Sequence, residues 1–294
     1  MCDEHTEEDN KEYFLKTGVG ELSRRGFAMM SAAAMAACAT PAADAKTVAE
    51  QDVVIKTPDG DCDAHFAAPT SGKHAAVLVW PDIMGLRPAF KVMGKRLAES
   101  GYAVLTINPF YRKQKGVVFD AATEKFSDAP VRARLIPLMQ SLTADTNKVD
   151  AIAFTGWLDK QKQVDTKKKI GTTGYCMGGP LVFRTAAYVP NRIGAAGTFH
   201  GGGIGTKDPT SPHLLIPQMK ASFLCCIADN DDKTDPESKN RLRAAFDAAK
   251  LSAEIEVYTG DQHGWCPPDS QVYEKVGAEK AWARQLALFQ KALA

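Results

Sequence analysis

Short apolar runs alternate with amphipathic stretches along most of this chain, and that alternation restricts its fold more than any other feature. Ala75–Trp80, Tyr102–Ile107, Ile193–Phe199 and Ser222–Ala228 are predominantly apolar and have the length of strands. Runs of this kind belong to strands covered on both faces. Arg87–Ser100 has helical spacing instead, with Phe90, Met93, Leu97 and Ala98 on one face. Val131–Ser141, Asn147–Gln163, Pro236–Lys250 and Gln271–Ala294 read as further helices. Strands alternating with helices predict an α/β fold, a mostly parallel central sheet with helices on both faces. Ahead of it, Asp52–Lys56 and Asp61–Ala67 flank Pro58-Asp59-Gly60, a hairpin signal.

One strand–helix junction also carries chemistry. Lys169–Thr173 leads into Gly174-Tyr175-Cys176-Met177-Gly178-Gly179, and a helical run, Leu181–Tyr188, follows. G-x-C-x-G at such a junction is the layout of a nucleophile elbow, with cysteine in the usual place of serine. The turn is strained and crowded, so its neighbours are glycines. It also sets the nucleophile at a helix N-terminus, where N–H groups stabilise a thiolate or an oxyanion. An α/β-hydrolase fold orders its triad nucleophile, acid, histidine. Downstream, Ser222–Ala228 runs into Asp229-Asn230-Asp231-Asp232, and Glu254–Tyr258 into Thr259-Gly260-Asp261-Gln262-His263. Both groups lie just past strand C-termini, the edge where open α/β sheets place their sites. The expectation is Cys176 as nucleophile, His263 as base and Asp231 as the orienting acid, with Asp232 as its competitor. Met177 N–H is the expected first oxyanion donor. Taken singly, each residue has an ordinary alternative: a core cysteine, a loop histidine, a solvated turn carboxylate.

With these residues in view, the chain resembles the dienelactone hydrolase family. The resemblance rests on Gly174 to Gly179, Trp80-Pro81-Asp82-Ile83-Met84-Gly85, Asn108-Pro109-Phe110-Tyr111, Phe199-His200-Gly201-Gly202-Gly203, the Asp231 region and His263-Gly264-Trp265. It implies that the Ile83 N–H is the second oxyanion donor. It implies that an acid at Asp82 holds the resting thiol; the family's usual residue there is glutamate, one methylene longer. It implies cations for an anionic lactone, a role that falls to Arg112 or Lys113. The family's second arginine, shortly after the histidine, has no counterpart in Gly264-Trp265-Cys266-Pro267-Pro268. Trp265 is expected as a pocket wall, with core packing as its alternative, and Phe199–Gly203 as another wall, with His200 within reach of substrate. The resulting expectation is a carboxylic ester or lactone hydrolase working through an acyl-enzyme. A thioesterase or acyl-transfer enzyme on the same triad, and a non-catalytic binding protein on the same scaffold, are the alternatives.

The chain has 294 residues and a formal net charge of +1, which offers no case for nucleic acid or an anionic membrane. The expected partner is a small-molecule ester or lactone, with the chain a monomer or small homo-oligomer. No cofactor or metal is expected, because the His263–Cys266 spacing lacks a second ligand pair. The first 45 residues stand apart. Ser23-Arg24-Arg25-Gly26-Phe27 precedes the small-residue apolar run Ala28–Ala39, and Ala43-Asp44-Ala45 closes the segment. This reads as a signal for the twin-arginine export machinery, cleaved near Ala45, ahead of a single domain over 46–294, and it implies the periplasm; a disordered tail on a cytoplasmic protein is the alternative. The apolar run is too short for a permanent span. Cys38 follows Ala36-Ala37, a weaker hint of lipidation. Seven cysteines without regular spacing do not form a disulfide framework. Adjacent Cys225-Cys226 are expected on opposite faces of one strand.

Overall fold

A computed structural model describes residues 45–294 of the chain. The twin-arginine segment, its apolar run, Cys2 and Cys38 lie outside the described residues. The hairpin is longer than its turn signal implies: β1 (Val48–Thr57) and β2 (Gly60–Pro69) pair antiparallel along their whole length. Thr57 faces Gly60 across a two-residue Pro58-Asp59 turn, and Gly60 takes φ 126°, a conformation open to glycine. The sheet continues with β3 (Ala76–Trp80), β4 (Ala103–Ile107), β5 (Ile170–Tyr175), β6 (Ile193–Phe199), β7 (Ser222–Ala228) and β8 (Ala253–Tyr258). The order is β1-β2-β4-β3-β5-β6-β7-β8, antiparallel at β1, β2 and β4 and parallel from β4 onward.

The helices are α1 (Pro88–Glu99), α2 (Ala129–Gln140), α3 (Ala144–Leu158), α4 (Gly178–Tyr188), α5 (Asp229–Thr234), α6 (Ser238–Ala249) and α7 (Lys275–Ala292). On one sheet face, Phe154 of α3, Phe183 of α4 and Phe246 of α6 pack into a cluster that includes Cys225. On the other, Phe90 of α1 and Phe289 of α7 pack into a cluster that includes Cys226. The two cysteines thus point to opposite faces, as the strand's alternation requires. A third apolar cluster, with Val131 and Leu135 of α2, Ile83 and Phe119, covers Cys176 at the carboxyl edge of the sheet. Two segments differ from their sequence reading. Asp229–Thr234 is a short helix because it leaves β7 with free N–H groups and a run of acids suited to them. The stretch after Gly203 holds a 3-10 turn, Pro212–Gln218, begun by proline. Among the described residues no helix is long and apolar enough to cross a membrane.

The junction of β5 with α4 is held by close backbone approach. A Cβ on Gly178 would lie 2.4 Å from the Trp80 carbonyl oxygen, and one on Gly174 would lie 2.4 Å from the Gly178 oxygen. Cys176 itself stands at φ 53°, a left-handed conformation that L-residues rarely hold. Gly178→Ala is expected to lower unfolding free energy by about 3 kcal/mol, because backbone must move to admit the methyl group. Gly260→Ala, where nothing lies within 4 Å but φ is 88°, should cost only about 1 kcal/mol. Urea denaturation of both variants measures the difference.

Candidate active site

Three strand ends bring the site together. Cys176 follows β5, Asp231 sits in the helix after β7, and His263 lies in the loop after β8. His263 Nδ1 is 2.8 and 3.0 Å from the two Asp231 oxygens. A carboxylate only accepts, so Nδ1 carries a proton and the other ring nitrogen is left for the Cys176 side chain, to which His263 is also hydrogen-bonded. Asp232 is turned away and accepts from Lys239 at 2.6 Å. The neighbour on the other side also matters: buried Asn230 accepts the His263 backbone N–H at 2.8 Å. One short helix therefore holds both the ring and the main chain of His263. Asn230 was not singled out from sequence, although it stands within the same acidic run.

Burial by itself would pull the His263 pKa down. The Asp231 carboxylate, the Cys176 sulfur and the hydrogen bonds to both outweigh it and raise it to about 10. The histidine therefore holds its proton beside the sulfur, which favours a thiolate–imidazolium pair. Burial pushes the thiols of Cys62, Cys225 and Cys266 well up, and that of Cys226 up to about 12. Those four cysteines are buried and suited to packing, and Cys176 alone among the described five lies in the cleft beside His263.

The cleft over Cys176 encloses about 720 Å³, mouth included. Ile83, Met84, Phe119, Phe126 and Val272 supply its apolar walls; His200, His263, Asp82 and Asp269 also line it. Ile83 and Met177 flank Cys176 in one buried cluster, and neither N–H has a backbone acceptor among the described residues. His200 is fully buried at φ 42°, its ring 5.1 Å from that of His263. Burial, and then the facing His263, push its pKa well down, so it stays neutral.

Three expectations need correction. Arg112 lies outside the cleft: it is paired with Asp59 at 2.7 Å and Asp150 at 2.8 Å, and it tethers the β1–β2 turn to α3. Lys113 is exposed. Trp265 is not a wall. It is fully buried, stacked on Tyr258 with centroids 5.1 Å apart, and sits edge-on to His200. Asp82 does line the cleft, but its oxygens serve other groups: Oδ1 accepts from Arg87 at 2.7 Å and from the Met84 N–H at 2.9 Å, and Oδ2 from Arg87 at 3.0 Å. Arg87, which sequence reasoning did not single out, lies buried behind this wall and holds Asp82 in it. It also reaches Asp269 at 2.6 and 2.9 Å, a partner 182 residues away in sequence. Its only local signal is its place immediately before Pro88, at the start of α1.

A strained cysteine turn on a mostly parallel sheet, with an aspartate past the end of β7 and a histidine past the end of β8, is the arrangement of an α/β-hydrolase. The profile of the dienelactone hydrolase family matches residues 62–293, and the chain belongs to that family. It is similar to a carboxymethylenebutenolidase from Rhodococcus opacus, 26% identical over 77% of this chain and 85% of the relative. A carboxymethylenebutenolidase from a Pseudomonas species is 27% identical over 79% of this chain and 91% of that one. Among solved structures, the dienelactone hydrolase of Anabaena variabilis is similar with a TM-score of 0.59 at 17% identity, covering 84% of this chain and 99% of that one. A dienelactone hydrolase-like promiscuous phosphotriesterase from metagenomic libraries is similar with a TM-score of 0.70 at 21% identity, covering 84% of this chain and 99% of that one. At these identities the structural likenesses concern the fold.

With the His263 pKa raised, the imidazolium is present below about pH 10 and is lost above it. The alkaline limb of kcat/KM for an ester should therefore fall near that pH. Asp231→Asn removes the carboxylate that raises the pKa, so the limb should move down by about one pH unit or more while kcat drops by roughly a thousandfold. A pH–rate profile of both proteins provides the check.

Proposed function

We propose that this protein hydrolyses a lactone or another carboxylic ester through an acyl-enzyme on Cys176. The observation that carries the reading is the single hydrogen-bonded line from Asp231 through His263 to a cysteine on a strained strand–helix turn. In the reaction the Cys176 sulfur attacks the ester carbonyl carbon and forms a C–S bond. The negative charge that develops on the carbonyl oxygen is met by the N–H groups of Met177 and Ile83. The C–O bond then breaks, and the leaving alkoxide takes the proton from the His263 imidazolium. Neutral His263 next accepts a proton from water as that water attacks the thioester. The C–S bond breaks, the acid product leaves, and the thiolate–imidazolium pair is restored. Asp231 keeps the ring in the orientation that serves both steps. Family membership and the carboxymethylenebutenolidase names of the relatives support the same reaction class.

Incubation with a p-nitrophenyl ester or a small lactone should add the acyl mass to Cys176, and Cys176→Ala should lose that adduct and more than about a thousandfold in kcat. Equal turnover by the two proteins would refute the mechanism. The twin-arginine segment is proposed to export the chain already folded. The burial of all five described cysteines would suit passage into an oxidising compartment. Replacing both Arg24 and Arg25 by lysine should then retain the precursor in the cytoplasm, as read by fractionation and N-terminal sequencing.

A further inference from the structure

We infer that the buried Asp82–Arg87–Asp269 cluster makes this cleft selective for uncharged esters and lactones over substrates that bear a carboxylate on the acyl group. The inference rests on the hydrolase reading above and specifies its substrate class. Asp82 and Asp269 line the cleft, and Arg87 is a buried cation directly behind them, the kind of residue that could hold a carboxylate if it had a donor to spare. It has nothing left to offer. A guanidinium carries five N–H donors. Nε donates to Asp269, one Nη to Asp82 and the Gly85 carbonyl, and the other Nη to Asp82 and Asp269. Its side chain is 1% exposed, so neither water nor ligand reaches it without breaking this set.

The charge balance points the same way. Two carboxylates share one guanidinium beside Cys176 and His263, so with both ionised the cluster carries one negative charge in excess. Burial, and then the neighbouring Asp269, push the Asp82 carboxyl up against the pull of Arg87. If the cluster takes up a proton, the excess charge goes, but Arg87 still has no free donor. Of the remaining charged groups at the cleft, Glu124 is paired with Arg134 at 2.8 Å, and Lys125 is exposed at the rim, where water screens it. A carboxylate that passes the rim would lose hydration and face the Asp82 and Asp269 carboxylates in the wall.

The test compares two p-nitrophenyl esters of matched acyl length, the valerate and the mono-glutarate, each corrected for turnover by Cys176→Ala. The wild type should give kcat/KM at least about tenfold higher for the valerate. An apolar wall alone would also disfavour the glutarate, so the cluster is tested separately with Asp269→Asn, which removes the excess charge. It should raise the glutarate-to-valerate ratio by about fivefold or more. Lys125→Ala should change that ratio by less than about twofold. Wild-type glutarate turnover equal to or above that of the valerate overturns the inference, and so does an unchanged ratio in folded Asp269→Asn. If that variant does not fold, Asp82→Asn, which removes the other carboxylate of the cluster, is read by the same ratio and the same threshold. If neither ester is turned over and Cys176 takes up no acyl mass, the hydrolase reading fails, and the selectivity with it.

Discussion

The close approach between the start of α4 and the end of β3 is the constraint on which the rest of this site depends. Gly178 lies against the Trp80 carbonyl so tightly that a single methyl group would collide with backbone. That contact lets β5 turn into α4 within a few residues and forces Cys176 into its left-handed conformation. It also fixes the loop after β3, which carries Asp82 and Ile83, beside the elbow. Strain of about 1–2 kcal/mol at the cysteine is compatible with a stable fold only because the sheet and two helices over-determine the turn. The burial of β3 and β5 on both faces supplies that determination.

Electrostatics then divides the cleft into two parts. On one side, Asp231 and Cys176 outweigh the cost of burying a charged imidazole and keep His263 protonated. On the other, Arg87 spends all its hydrogen bonds on Asp82 and Asp269, and so ties the loop after β3 to the loop after β8. Buried ion clusters of this kind contribute little net stability, since desolvation offsets the attraction. Their value here is geometric. The same two loops carry Ile83 and His263, so the clamp holds the proposed oxyanion donor and the proposed acid–base group in one frame.

Most of the architecture was legible in the chain because apolar period and run length are local properties. β6 and β7 match their sequence boundaries, and α1 buries the face that its spacing marks. The order Cys176, Asp231, His263 was legible because each stands just past a strand. The choice of Asp231 over Asp232 was not, since it depends on which way a short helix turns its side chains. Arg112 was misread for a related reason. A cation next to Tyr111 is equally consistent with a pocket and with an ion pair, and the acids that claim it come from a hairpin turn and a helix distant in sequence. Trp265 was misread because adjacency to a catalytic loop says nothing about whether a ring points into the cleft or beneath it.

What the sequence determined by itself is therefore the fold class, the family and the candidates for the reacting groups. These follow from patterns that are periodic, or from residues that punctuate strand ends. Only the tertiary structure decided the character of the cleft: that Asp82 belongs to Arg87, that Asp269 closes the clamp, and that all five Arg87 donors are taken by groups among the described residues. Those pairings join residues as many as 182 positions apart. They are set by which side chains share a small volume with little water, where an unpaired charge is costly, and no local pattern in the chain encodes that volume.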